Sequence, residues 1–153
     1  MKQTNLSENN VFSKNIIELK LISDRIAEGK GEKAGIFSNT YQILFILTRK
    51  EKVTPKELIA ELNIAKSNLA ILAKKMIKDG LIESHKDKLN KREIFYNITE
   101  AGTLMLQEKL DNIDTVCDTD TKKVTSILTR AVEELKKLES KASSGKRRKT
   151  NAK

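Results

Sequence analysis

The chain has one cysteine, one histidine, one proline and no tryptophan among its 153 residues. A lone Cys117 excludes an intrachain disulfide. One His and one Cys argue against a structural zinc site within a subunit. No stretch approaches the roughly 18 apolar residues of a membrane span. Met1 to Asn10 is polar and lacks a signal-peptide core. A reduced, cytoplasmic protein with no membrane partner is therefore expected. There is no Gly-rich phosphate loop and no paired catalytic motif, so neither an enzyme nor a cofactor is expected.

What the chain does have is positive charge. The formal net charge is +9, with an isoelectric point near 9.6. Lys146, Arg147, Arg148, Lys149 and Lys153 supply five of these nine charges, so the remainder lies on the folded body. Such a surplus favours a polyanionic partner, nucleic acid first.

Apolar residues at helical spacing dominate the rest. A first helix is expected from Val11 to Glu28, with Phe12, Ile16, Leu19 and Ile26 near one face and Ile17, Leu21 and Ile22 widening it. A second, Asn39 to Arg49, is apolar nearly all round and belongs at the centre of the fold. The third begins at Thr54-Pro55-Lys56-Glu57: an N-cap, a first-turn proline and a capping-box glutamate. Leu58, Ile59 and Leu62 form its inner face, and Asn63-Ile64 makes a turn. The fourth helix, Lys66 to Asp79, buries Leu69, Leu72, Ala73 and Met76. It stops at Gly80, a left-handed cap with Leu81 beyond it.

Leu81 to His85 and Glu93 to Ile98 read as two strands around a basic turn, Lys86 to Arg92. Thr99 caps a fifth helix, Glu100 to about Val116, whose Leu106, Leu110, Ile113 and Cys117 follow a 4-3-4 spacing. A sixth runs from 120 to about Lys141. Its Val124, Leu128, Ala131, Leu135, Leu138 and Ala142 keep a heptad rhythm.

The fold expected is mainly α with a small β-hairpin wing: a winged helix-turn-helix core at 38–98, flanked by helices 11–28, 100–116 and 120–141. Together these form a single domain at 10–142, with a basic disordered tail at 143–153. The flanking helices carry more apolar face than the core can cover, which points to a homodimer.

In this order and spacing, the run Leu62 to Leu69, then Lys78-Asp79-Gly80-Leu81-Ile82-Glu83, then Asp87 to Arg92, then Ile98-Thr99-Glu100-Ala101-Gly102 resembles the MarR-type bacterial transcription regulators, over about residues 10–142. The resemblance implies a homodimer held by the first, fifth and sixth helices. It implies a recognition helix at Ala65 to Asp79, a wing at Lys86 to Arg92, and repression from palindromic operators. It also implies a small aromatic effector that releases DNA.

The chain departs from the family pattern at three places. Lys91 and Asn90 stand where the family has a minor-groove Arg and an orienting Asp, while Arg92 matches the next basic position. Ile71 stands where a base-reading Arg is frequent; Ile cannot pair with guanine but can touch a thymine methyl, which points to an A·T-rich operator. Ile59 replaces a small turn residue, so the two helices must separate slightly or repack.

The chemistry follows the placement. Lys66, Ser67 and Asn68 open the fourth helix, the end that enters a major groove first. Asn pairs bidentately with adenine, and Lys reaches guanine or phosphate. Lys56, Lys74, Lys78 and, in the wing, Lys88, Lys91 and Arg92 are candidate contacts. Phe12, Phe37, Tyr41 and Phe45 are candidates to line an effector pocket, although such residues are more often core. His85 reads as an exposed strand-end residue with nothing nearby to pair with, and Cys117 as a buried structural thiol. An alternative is a winged helix serving as an assembly module with only nonspecific DNA affinity. Its mark, a recognition helix and wing low in positive charge, is not seen.

Overall fold

The structure is a computed structural model that describes residues 11–27, 35–116 and 121–149. Its elements run α1 (Val11–Ala27), α2 (Asn39–Arg49), α3 (Pro55–Leu62), α4 (Lys66–Lys78), β1 (Ile82–Lys86), β2 (Ile94–Ile98), α5 (Glu100–Val116) and α6 (Lys122–Lys149). The chain divides into two compact units, Met1–Val116 and Cys117–Lys153. α6 lies in the second of these units.

The core of the first unit is built around α2, as its apolar circumference requires. Ile43, Leu44, Ile46 and Leu47 are buried, joined by Val53, Leu58, Leu69, Ala73, Met76, Ile82, Tyr96 and Leu106. α2, α3, α4, β1, β2 and α5 each supply buried residues to this core, while the apolar residues of α1 remain exposed. Ile59 packs half-buried against this core.

α3 is bounded by side chains at both ends, and α4 ends on a backbone cap. Thr54 Oγ1 accepts the Glu57 N–H (3.3 Å) and Glu57 Oε2 accepts the Thr54 N–H (2.8 Å), completing the capping box. Asn63 ends α3 in the left-handed region (φ 51°), which Asn tolerates better than most residues. At the far end of α4, Gly80 takes φ 72°. There the Leu81 N–H reaches the Met76 carbonyl (2.9 Å) and the Gly80 N–H the Ile77 carbonyl (3.0 Å). This is a Schellman cap, and Leu81 packs against the core behind it.

The wing is an antiparallel pair in which Ile82 faces Ile98 and Lys86 faces Ile94. Val53 adds an isolated bridge to Tyr96, donating to its carbonyl (3.4 Å) and accepting its N–H (2.8 Å). The segment between α2 and α3 thereby ties the hairpin base to the core. Burial raises the Tyr96 phenol above its ordinary pKa.

Thr99 joins four elements at one point. Its N–H donates to the Leu81 carbonyl (3.1 Å), and its hydroxyl donates to the Gly80 carbonyl (2.7 Å). The same hydroxyl accepts the Gly102 N–H (3.0 Å), capping α5. A Cβ on Gly102 would overlap the Leu81 carbonyl oxygen and press on Ile98 and Leu44. The end of α4, the base of the hairpin and the start of α5 are therefore held in one fixed geometry.

The second unit differs from expectation. α6 continues to Lys149, past Lys141 and into the stretch expected to be a disordered tail. Ser143, Ser144 and Gly145 do not stop it; such residues disfavour a helix by only about 0.5–1 kcal/mol each, and no proline follows. Within the expected seam, Ala131 and Leu135 are half-buried, while Val124, Leu128 and Leu138 are exposed. Cys117 and residues 150–153 lie outside the described residues.

Candidate nucleic-acid interface

α4 divides cleanly into two faces. Leu69, Leu72, Ala73 and Met76 turn inward, as their spacing predicted. Ser67, Asn68, Ile71, Lys74, Lys75 and Lys78 turn outward and are exposed. Lys66 is exposed at the helix start, and Lys56 is exposed on the first turn of α3. The N-cap position of α4 is Ala65, which offers no capping oxygen. The first-turn amides of α4 therefore point outward with no side-chain cap, an arrangement that suits a phosphate.

Lys88, Lys91 and Arg92 are exposed on the wing turn. Among the described residues, the cations of α4 and of this turn form no ion pair with a carboxylate. Lys50, by contrast, is held by Glu57 (3.2 Å) and Glu61 (3.8 Å) beneath α3. Cations without carboxylate partners, on two successive elements, leave the charge available to an external anion.

The wing turn is rigidly built. Asp87 Oδ1 accepts the N–H groups of Leu89 (2.8 Å) and Asn90 (2.9 Å). These two backbone donors hold the Asp87 carboxyl below the usual carboxylate range. Asn90 Oδ1 accepts the Arg92 N–H (3.3 Å), and its carbonyl accepts the Glu93 N–H (2.9 Å). Asn90 thus shapes the backbone. Asp side chains commonly bond to amides two residues on, as Asp87 does at Leu89.

His85 does have neighbours, contrary to the expectation of an isolated strand-end residue. Its Nε2 lies 3.0 Å from Glu83 Oε2, and its ring stacks on Phe95 at 5.5 Å. Residues i and i+2 share a strand face, which brings Glu83 and His85 together. Lys52 lies over the other aromatic partner, 4.9 Å from the Phe95 ring centre.

Three of the four aromatic pocket candidates meet. Phe37, Tyr41 and Phe45 line a mostly apolar cavity of about 360 Å³, with Ile46, Leu62 and Leu106 among its walls. Phe12 is not among the lining residues. It stands on the first turn of α1, 61% exposed, while the α1 residues that line a groove with Phe37 begin at Ile16, one turn further on. Sequence reasoning missed Lys109, which is only 5% exposed and lies 5.8 Å from the Tyr41 ring centre. A lysine within a polar-looking helix gives no sign that it is buried.

Helix, left-handed turn, outward-facing helix and hairpin are the parts of a winged helix-turn-helix. Residues 38–102 match the winged helix DNA-binding domain family, a span that includes every element from α2 to the Thr99–Gly102 cap. The transcriptional regulator AdcR of Streptococcus pneumoniae is 30% identical over 71 residues. That alignment covers 46% of this chain and spans about half, 49%, of the relative. A solved MarR family transcription regulator superposes with TM-score 0.61 at 16% identity, covering 87% of each chain. A substituted S. aureus MepR bound to an oligodeoxyribonucleotide superposes with TM-score 0.51 at 14% identity, covering 88% of this chain and 99% of its own. Residues 38–102 thus resemble a winged helix DNA-binding domain, and the chain shares the fold of the solved MarR family regulator. Among the described residues, no helix is long and apolar enough to cross a membrane.

Proposed function

We propose that this chain is a cytoplasmic, sequence-specific, double-stranded DNA-binding transcription regulator that represses as a homodimer. The observation that carries the reading is the outward face of α4. Asn68 and the lysines around it are exposed and form no ion pair among the described residues, on a helix that the Thr99 cap locks in place. Lys66, Ser67 and Asn68 would enter the major groove. Lys56, Lys74, Lys78, Lys88, Lys91 and Arg92 would grip the flanking phosphates.

Dimerisation rests on apolar surface. Val11, Ile17 and Leu21 on α1 are more than half exposed, and so are Val124, Ile127 and Leu138 on α6. Apolar faces of this length on a small protein mark a protein partner, and a second copy supplies the two-fold match to a palindrome. The cavity lined by Phe37, Tyr41 and Phe45 falls within the size range of small-ligand pockets and suits an apolar or aromatic effector.

The test is selection from a pool of random duplexes by the full-length chain. Recovery of a palindrome with half-sites about one helical turn apart supports the reading. Enrichment of nothing, with binding that vanishes by about 200 mM salt, would instead favour an assembly module with nonspecific electrostatic affinity.

A further inference from the structure

Two large apolar side chains interrupt the cationic face: Ile71 on α4 and Leu89 on the wing turn. Leu89 is 99% exposed, so it contributes nothing to the core, and its position is set with unusual care. Its own N–H is held by Asp87 Oδ1 (2.8 Å), and the amides of Asn90 and Arg92 are held by Asp87 and Asn90 (2.9 and 3.3 Å). The turn therefore presents Leu89 outward between Lys88 on one side and Lys91 and Arg92 on the other, at little cost in ordering.

A leucine cannot bind phosphate. When the lysines beside it engage the two backbones, it must meet apolar surface or lose its exposure for no gain. With α4 in the major groove, the hairpin beside it reaches past the sugar–phosphate wall toward the next minor groove. That groove is about 6 Å wide and has apolar sugar walls, so it accommodates a single aliphatic side chain. Its floor distinguishes one class of base pair from the other. At G·C the guanine N2 amino group projects into the groove as a donor, and at A·T no such group is present. An aliphatic side chain seated there would strip water from the amino group without replacing its hydrogen bond.

We propose that Leu89 is a minor-groove specificity residue, which selects A·T pairs flanking the major-groove half-site by exclusion of the guanine 2-amino group. The assignment rests on the DNA-binding reading above and deepens it. It gives the wing a role in sequence choice that its lysines, as phosphate contacts, do not supply.

Base analogues separate the grooves. In the duplex recovered by selection, each flanking A·T pair is replaced in turn by G·C, by inosine·C or by 2,6-diaminopurine·T. Inosine·C has the major groove of G·C and the minor groove of A·T; diaminopurine·T has the reverse. The full-length chain should lose affinity about tenfold on G·C and on diaminopurine·T at the contacted pair, and keep it on inosine·C. Leu89→Ala should bind the four duplexes alike, with an unchanged salt slope, because no charge is removed. Inosine·C behaving as G·C, or discrimination that survives in Leu89→Ala, would overturn the assignment while leaving DNA binding intact. Failure of the wild-type chain to select any duplex would overturn the DNA-binding reading and this assignment together.

Discussion

Replacing Gly102 by alanine should destabilise the protein, although the same change elsewhere in an exposed helix stabilises by about 1 kcal/mol. The reason is local. The new Cβ would overlap the Leu81 carbonyl oxygen and lie 3.0 Å from Ile98 Cγ1 and 3.1 Å from Leu44 Cδ2. The carbonyl cannot retreat freely, because it accepts the Thr99 N–H at 3.1 Å. Overpacking of this kind costs about 1–3 kcal/mol, and weakening one hydrogen bond adds about 0.5–1.5 kcal/mol. Set against the propensity gain, the net loss should be about 1–3 kcal/mol. In urea that moves the unfolding midpoint down by on the order of 1 M, with the slope unchanged. Wild type and variant must be compared at one protomer concentration, since any dimer adds stability by mass action. An unchanged or raised midpoint would refute the claim that α5 is docked against the hairpin base through this glycine.

Other expectations concern the DNA face, the dimer and the α3 cap. Asn68→Ala should relax specificity at one base pair and cost about 1–3 kcal/mol; equal loss on all sequences would make Asn68 a backbone contact. Lys91→Ala should weaken binding generally and lower the salt slope by about one, and an unchanged slope would take Lys91 off the phosphates. Sedimentation at micromolar concentration should give twice the 17.3 kDa chain mass. Ile17→Glu with Leu21→Glu should return the monomer, and a doubly charged variant that stays dimeric would move the interface off α1. Glu57 is held below its ordinary pKa of 4.5 by the Thr54 N–H first, then the Thr54 hydroxyl and Lys50. A depressed carboxylate stabilises the fold above its unfolded pKa, and that contribution is lost as pH falls through the lower folded value. Stability should therefore drop below about pH 4.5. Glu57→Gln should flatten that part of the pH profile, and an unaltered profile would remove the capping box as its source.

Most of the winged helix was legible because its signals are local and chemical. Thr54, Pro55 and Glu57 announce a helix start, and Gly80 announces a stop, through capping bonds that span three to five residues. The inner face of α4 follows from periodicity alone. What the sequence hid depends on contacts between distant segments. Val53 pairs with Tyr96 as a single bridge, which has no period to read. Thr99 was recognised as a cap, but its second bond, to Gly80 across 19 residues, had no sequence sign. The end of α6 has no local sign, because Ser and Gly weaken a helix without stopping it. Residue type alone does not separate Phe12 from Phe37, Tyr41 and Phe45, whereas the cavity is lined from α2, α3 and α5 and by the segment before α2. Leu89 has no sequence mark in a turn full of charge, since only its near-complete exposure sets it apart.

The central claim is that the face formed by α4 and the wing reads DNA sequence. It is tested most directly by the ratio of affinities for the selected palindrome and for a scrambled duplex of equal length, measured across a salt series. The account predicts a ratio of at least about 10³ near physiological salt, with a steep negative slope on both duplexes. A ratio near one at every salt concentration would contradict it.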